Sequence, residues 1–503
     1  MQTYGEKEKS ASEKKVIEYA ESKNMLIVPE AANQLAQRQD FEEIINALAN
    51  ENEFVINNEL IEKITKTQTP DVQVEIIKKT GFNPEAKELD SKIRVLHEYD
   101  VTGQSRSEGT VKNFKNYFQT KFEMLSEILK KRQHITAKPI KRLRATPKNS
   151  SVDVVGMVFK KWQTKSGHTA IQLEDLDAKC IVLFMKNDPK ILESAEHVLN
   201  DDVIGIRGIK WGDDMIIAKE ILWPDLPMKP AKKCENDVRI CSTSDMHIGS
   251  KLFLERECNL FVDWINGRGL NRKEQEEVGK IKYLVISGDN VDGIGIYPNQ
   301  INELNIKDIK KQYELFSRII LEIPEYIEIL ICPGQHDAVR WADPQPAIPK
   351  KFLPDLHARE NIHFVGSPSW FEIEGLKCLI YHGGALHDLI GSVSFLDSAH
   401  PDKAMIEALK KRDIMPSYGM KQPYVPEKKD YMVVKEEPDL VYIGDMHHNS
   451  YSQYRGVTVM NSGTWQARTA YQAKLGHVPT PCTVPTLDLQ TRNIREKSFS
   501  IGD

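Results

Sequence analysis

At 503 residues, with 40% hydrophobic and 28% charged side chains, the chain has room for roughly two to four domains around sizeable cores, and nothing in it departs from an ordinary globular composition. A formal net charge of −5 excludes a global basic field, so any contact with nucleic acid must be local or shared with a partner. The seven cysteines show no CxxC spacing, which argues against a zinc ribbon or a disulfide framework and for reduced thiols.

The N-terminus, Met1 to Lys9, has no apolar targeting core, and no long apolar span follows it, so the expectation is a cytoplasmic protein with no membrane segment. Residues 1–65 read as a small helical module. Val16, Ile17, Ala20, Leu35, Ile44, Ile45 and Leu48 recur near helical spacing, with Pro29 breaking between segments. Such a stripe serves either as a core or as a partner-binding face. Residues 66–150 read as a polar linker carrying one amphipathic helix, Phe114 to Leu129, with Phe118, Phe122, Leu125 and Leu129 on one face. It runs into a basic stretch of Lys130, Lys131, Arg132, Lys138, Lys141, Arg142, Arg144 and Lys148, which is either a solvated linker or a strip that tracks phosphates.

Residues 151–228 carry five short alternating runs, starting at Val152, Thr169, Cys180, Val203 and Met215, with Gly167, Gly205, Gly208 and Gly212 where turns or tight bends are needed. They fit a five-stranded barrel of the oligonucleotide-binding type, with a helix near Ile191 to Leu199 before the fourth strand. Trp162, Phe184 and Trp211 could stack on bases, or serve in the core or an interface. Between His387 and Tyr431 a loop- and helix-rich segment, helical over Ala404 to Arg412, could cap a neighbouring cleft.

Within residues 236–503, five apolar runs each end in groups fit to hold a metal ion. They end in Asp245 and His247, in Asp289, in Gln335, His336 and Asp337, in His382, and in Asp445 and His447. Short β-rich runs bounded by Gly or Pro read as buried strands, and the loops leaving the carboxyl ends of parallel strands converge on one crevice. Asp, His and an amide delivered there suit two hard-to-borderline cations. A bend after the first strand would let Asp245 and His247 reach one ion, and Asp289 has two oxygens with which to bridge ions about 3.5–4 Å apart. Gly288 and Gly334 leave room where a Cβ would obstruct.

The order Asp-x-His, Gly-Asp-x-x-Asp, Gly-x-His-Asp, His, Gly-x-x-His resembles the calcineurin-like metallophosphoesterases. Gly288 to Pro298, Pro333 to Arg340, Pro344 to Pro346, Tyr454 to Val457 and Asn461 to Gln466 narrow the likeness to the small, exonuclease subunits of archaeal D-family DNA polymerases. The resemblance implies an α/β domain over 236–503, a two-sheet sandwich flanked by helices, preceded by the barrel. It implies two divalent ions: one held by Asp245, His247, Asp289 and His447, the other by Asp289, Gln335, His382 and Asp445. It also implies metal-dependent 3′→5′ exonuclease (proofreading) activity with His336 as general acid, Asp337 steadying His336 or its loop, and Arg340 meeting a phosphate. The partners implied are a large catalytic subunit, the primer 3′ end of DNA and, through the complex, a sliding clamp, with Trp162, Trp211 and Trp223 as candidate anchors. Two positions depart from the family pattern: Gln335 stands where Asn is usual and Asp445 where the first His of the last motif is usual. Extra oxygen donors harden the second site toward Mn²⁺ or Mg²⁺, and His448 is a further candidate donor. The departures also admit a scaffold subunit with a weakened site, and the motifs alone admit a stand-alone phosphodiesterase.

Overall fold

The computed structural model describes residues 11–23, 25–38, 40–50, 55–58, 60–61, 82–133 and 135–501, and the chain divides into two compact units, Met1–Gly81 and Phe82–Asp503. In the first unit α1 (Ala11–Ser22), α2 (Pro29–Ala36) and α3 (Phe41–Asn50) bury Val16, Ala20, Leu35, Ile44, Ile45 and Leu48 in one cluster. Ile17, expected on the same stripe, is only half-buried. Pro29 falls between the first two helices, as expected, and opens α2, where its missing N–H would be unbonded anyway and its fixed φ suits the first turn. Two short strands, β1 (Leu26–Ile27) and β2 (Val55–Ile56), pair in parallel; two residues are too few to show a period in sequence. Residues 66–81 of the expected linker lie outside the described residues.

The second unit corrects the linker reading at its start. β3 (Ile93–Val95) is an edge strand paired with a much later segment, residues 369–373. Then α4 (Val111–Gln133) lays Leu125 and Leu129 against Val155, Met157, Val203 and Leu222, with Phe118 and Phe122 half-covered beside them. A closed five-stranded barrel follows, made of β4 (Ser151–Gln163), β5 (Thr169–Glu174), β6 (Lys179–Phe184), β7 (Val203–Gly212) and β8 (Met215–Leu222), in the order β4-β5-β6-β8-β7. α5 (Pro189–Glu196) precedes β7, started by Pro189 and by the Asp188 side chain accepting from the Ile191 amide. Phe184 is fully buried in the barrel core and Trp223 is 8% exposed there, so neither is placed to stack on bases or to anchor a partner. Trp211 is exposed, with the Lys148 ammonium 4.7 Å from its ring centre. The basic stretch is interleaved with acids from elsewhere: Lys131 pairs with Glu127, Arg132 with Glu437, Lys141 with Asp177 and Arg144 with Asp214. Those carboxylates break up the continuous positive strip that phosphate tracking requires, which favours the linker reading.

The rest of the unit builds two six-stranded sheets. In chain order it supplies β9 (Arg239–Thr243), α6 (Glu255–Ile265), α7 (Arg272–Val278), β10 (Ile281–Ser287), α8 (Ile309–Leu321), β11 (Glu328–Cys332), β12 (Ile362–Phe364), β13 (Ser369–Ile373), β14 (Leu376–Ile380), α9 (Leu386–Ser392) and α10 (Pro401–Lys411). β15 (Leu440–Ile443), β16 (Ser450–Tyr454), β17 (Val457–Asn461), α11 (Ala470–Lys474), β18 (Thr483–Asp488) and β19 (Ile494–Ser498) complete it. The sheet orders are β12-β11-β10-β9-β18-β19 and β16-β17-β15-β14-β13-β3. Strands β9 to β12 run parallel in the first, as do β14, β15 and β17 in the second. One face of each sheet joins a shared core in which Tyr283, Val285 and Leu330 meet Phe371, Ile380 and Tyr442. The outer face of the first is covered by α6, α7 and α8, that of the second by α9 and α10. β10 is therefore buried along its whole length, which is why its sequence is an apolar run rather than an alternation. All seven cysteines are buried and unpaired, and among the described residues no helix is long and apolar enough to cross a membrane.

Two buried ion pairs tie the barrel region to the sheets. Lys411 of α10 meets Asp202 just before β7 at 2.5 Å, and Lys121 of α4 meets Asp413 at 2.5 Å while donating to the Pro416 carbonyl at 2.9 Å. The Lys121–Asp413 side chains are each only 2% exposed. Removing one member of such a pair strands the other charge. Lys121→Met is accordingly expected to lower stability by about 3–5 kcal/mol, read from chemical denaturation followed by tryptophan fluorescence.

Candidate metal centre

Each expected strand end delivers its residues to one seam between the two sheets. β9, β10 and β11 lead into Asp245 and His247, Asp289, and Gln335 and His336; β14 and β15 of the other sheet lead into His382 and into Asp445 and His447. The backbone bends sharply as it leaves the strands. Asp245, His247, Asp289, Asp445 and His447 all have φ between 48° and 68°, the left-handed region that non-glycine residues avoid. Strain of this kind persists only where the surroundings enforce it, and it clusters at functional sites. The enforcing bonds are visible: the Asp245 amide donates to the Gly288 carbonyl, the His247 amide to the Asp289 carbonyl, and the Asp445 amide to Asp245 Oδ2.

The donor atoms fall into two groups that meet at Asp289. On one side Asp245 Oδ1 lies 3.4 Å from His447 Nε2 and 3.9 Å from His247 Nε2, and the two Nε2 atoms are 3.0 Å apart. On the other side His382 Nε2 lies 3.3 Å from Asp289 Oδ1 and 3.6 Å from Asp445 Oδ1. The second oxygen of Asp289 lies 3.9 Å from both His247 Nε2 and His336 Nε2. Asp289 thus turns one oxygen to each group. Gly334 makes this approach possible, since a Cβ there would fall 2.1 Å from Asp289 Oδ1 and 2.6 Å from His382 Nε2. At Gly288, φ is +95° and a Cβ would fall 2.4 Å from His382 Nδ1.

Several supporting residues were not foreseen in the sequence. His247 Nδ1 lies 3.0 Å from Asp292 Oδ1, and His382 Nδ1 donates to the Ser287 carbonyl at 2.6 Å, so both rings turn Nε2 inward. Gln472 Nε2 lies 2.8 Å from His447 Nδ1. Gln466, in the stretch from Asn461 that carried part of the family resemblance, donates to Asp292 Oδ1, and Thr464 Oγ1 donates to the Asp245 carbonyl. His387, from α9, brings Nε2 to 3.1 Å from Asp445 Oδ2. Asp292 could have been found as the second acid of the Gly-Asp-x-x-Asp run; His387 and Gln472 leave no signal in the sequence.

Two expected roles, of Arg340 and His448, are revised, and that of Asp337 is narrowed to one of its two alternatives. Arg340 is committed within the protein, donating to the Pro344 carbonyl, Ser105 Oγ and Glu427, so its guanidinium is not held out for a phosphate. Asp337 does not touch His336; it accepts from the Gly334 amide, the Asn290 amide and side chain, and the Tyr313 hydroxyl, and so steadies the loop. Burial pushes its carboxyl up to about 6. His448 turns its Nδ1 to the Asn449 carbonyl and joins none of the donor groups.

The electrostatics call for positive charge. Burial works to raise the Asp289 carboxyl, yet the His382 and His336 rings beside it hold it well below the usual carboxylate range. Burial likewise opposes charge on His382, and Asp289 overcomes it and raises the ring well above its ordinary value. Four atoms at the seam, Asp245 Oδ1, Gln335 Oε1, His382 Nε2 and Asp445 Oδ2, are buried with no hydrogen-bond partner. Leaving them so is costly, and a divalent cation satisfies carboxylate, amide and imidazole donors together. The residues present therefore fit a metal ion. Gly334→Ala is expected to weaken Mn²⁺ binding at least ~10-fold, because the added methyl collides with Asp289 and His382. Asp292→Asn is expected to cost ~10–100-fold by loosening His247. Isothermal titration with Mn²⁺ measures both.

Comparison with known proteins places the chain. The family of the B subunits of DNA polymerases alpha and epsilon matches residues 240–453, the stretch that contains the five strand ends. The chain is 40% identical to the DNA polymerase II small subunit of Archaeoglobus fulgidus over 387 residues, covering 76% of this chain and 77% of that one. It is 36% identical to that of Methanocaldococcus jannaschii over 405 residues, covering 80% and 68%. With that of Thermoplasma acidophilum it shares 33% over 462 residues, covering 90% and 91%. The chain belongs to the archaeal DNA polymerase II small-subunit family, the D-family small subunits that its motifs resemble.

Proposed function

We propose that the chain supplies a metal-dependent 3′→5′ exonuclease that removes nucleotides from the primer end of DNA, proofreading beside a large subunit that holds the polymerising centre. The observation that carries this reading is the gathering of Asp245, His247, Asp289, His382, Asp445 and His447 from four strand ends of two sheets, with unpaired donor atoms turned toward one another. In this reading the sandwich is a calcineurin-like phosphoesterase domain and the barrel is of the oligonucleotide-binding type, facing the large subunit. Asp245, His247, Asp289 and His447 would hold one divalent ion, and Asp289, Gln335, His382 and Asp445 the other. The weight of oxygen donors favours Mn²⁺, with Mg²⁺ as the alternative. Two such ions, when bound, supply Lewis-acid stabilisation of the phosphoryl oxygens and an acidified water to attack phosphorus.

The chain's own residues supply the rest. His336 is the general acid. Its Nδ1 donates to the Asp292 carbonyl at 2.7 Å, which fixes the ring and leaves Nε2, on the Asp289 side, as the atom that protonates the leaving 3′ oxygen. As the new oxygen–phosphorus bond forms, the bond to that 3′ oxygen breaks, releasing a nucleotide 5′-monophosphate. Asp289 accepts from the His336 amide at 2.9 Å and so keeps acid and donors in register. The site of action is cytoplasmic, and the sliding clamp is reached through the complex.

The test uses the two-subunit complex with Mn²⁺ and a mismatched primer end. His336→Ala is expected to slow nucleotide release by ~10²–10⁴-fold with Mn²⁺ binding unchanged; undiminished release would reject the mechanism. The Gln335 and Asp445 departures motivate the second reading, a scaffold subunit. Two Mn²⁺ per chain supports the enzyme and none supports the scaffold. Rapid turnover of small phosphodiesters by the isolated chain would instead favour a stand-alone phosphodiesterase.

A further inference from the structure

At position 445 the chain carries an aspartate where the family pattern has a histidine, and a short carboxylate needs something to hold its orientation. Asp445 Oδ1 lies 3.6 Å from His382 Nε2, and Oδ2 lies 3.1 Å from His387 Nε2. His387 belongs to none of the five strand ends. It is the second residue of α9, in the segment between the fourth and fifth of them. Its side chain is 47% exposed, against 13% for Asp445. It approaches Asp445 through Oδ2, whereas Oδ1 is the oxygen that lies toward His382. The contact is close without being aligned as a hydrogen bond, which leaves lone pairs on Oδ2 unspent.

The same chain holds the complementary arrangement on the other side of Asp289. There the imidazole of His247 faces the seam, and the carboxylate of Asp292 stands behind it at 3.0 Å. At Asp445 the carboxylate faces the seam and the imidazole stands behind. Partners of this kind orient a ligand and tune its basicity, and their loss costs ~10–100-fold in metal affinity. We propose that His387 is a positioning residue that holds Asp445 as a donor to the second ion, the reversed pair doing the work of the histidine absent from position 445. This role rests on the two-ion reading of the site. A neutral ring with its hydrogen on Nε2 presents the same positive end to the carboxylate as a charged one, so protonation is not required.

Calorimetric titration of the metal-free full chain with Mn²⁺, with electron paramagnetic resonance reporting the coupled pair of ions, tests the role. The wild-type chain is expected to take two ions. His387→Ala should leave the first affinity unchanged and weaken the second ~10–100-fold. The exchange of His387→Asp together with Asp445→His should recover the second site, because it restores a ring backed by a carboxylate. Thermal denaturation checks that each variant is folded; if His387→Ala is not, the exchange variant decides alone. Unchanged affinities in His387→Ala would overturn the role of His387 while leaving the two-ion reading intact. Failure of the exchange variant to bind the second ion would likewise overturn it. A wild-type chain that takes fewer than two ions would overturn the two-ion reading and the role of His387 with it.

Discussion

Asp289 is the constraint on which the site depends, because its two oxygens face opposite groups of donors across the seam between the sheets. Asp245, Asp289, Asp292, His247, His382 and His447 are all less than a tenth exposed. Carboxylates taken so far out of water persist only beside positive charge. Protonated rings can provide it, and so can a divalent cation. The fold makes the choice available by ending five strands at one place and by bending the chain through left-handed φ values at five of the donor-bearing residues.

That geometry needs both sheets. β9, β10 and β11 position Asp245, His247, Asp289, Gln335 and His336, whereas β14 and β15 position His382, Asp445 and His447. The shared core of Tyr283, Val285, Leu330, Phe371, Ile380 and Tyr442 fixes the sheets against each other, so apolar packing sets the spacing of polar groups at the seam. Asn461 to Gln466 adds a second tether: Trp465 donates its indole N–H to Thr243 and its amide to the Asp245 carbonyl, linking β17 to the turn after β9. A motif that contributes no donor to the seam thereby controls the position of one that does.

Two polar residues near the seam illustrate how surroundings decide what a side chain does. In the proposed site a carboxylate at position 445 replaces a histidine, and His387 of the neighbouring α9 brings Nε2 to 3.1 Å from it. Arg340 went the other way. A cation read in the sequence as a phosphate contact is consumed by Glu427, Ser105 and the Pro344 carbonyl, tying the loop after β11 to the segments around it.

The sequence by itself determined the five strands that lead into the seam, the five of the barrel and the residues at the strand ends, because buried parallel strands are written as apolar runs and strand-terminal Asp, His and Gly stand out against them. It likewise determined α4 and α10, whose apolar spacing is local. Only the tertiary structure decided which polar groups stand behind the donors. His387 and Gln472 act through contacts between segments remote in sequence, and no local period encodes such a contact. The same holds for β3, whose three residues become a strand only because β13 offers them an edge. The fates of Phe184, Trp223 and Arg340 were also tertiary: an aromatic or a cation reads alike in sequence whether it faces solvent, a core or an internal carboxylate, and the surrounding fold alone selects among them.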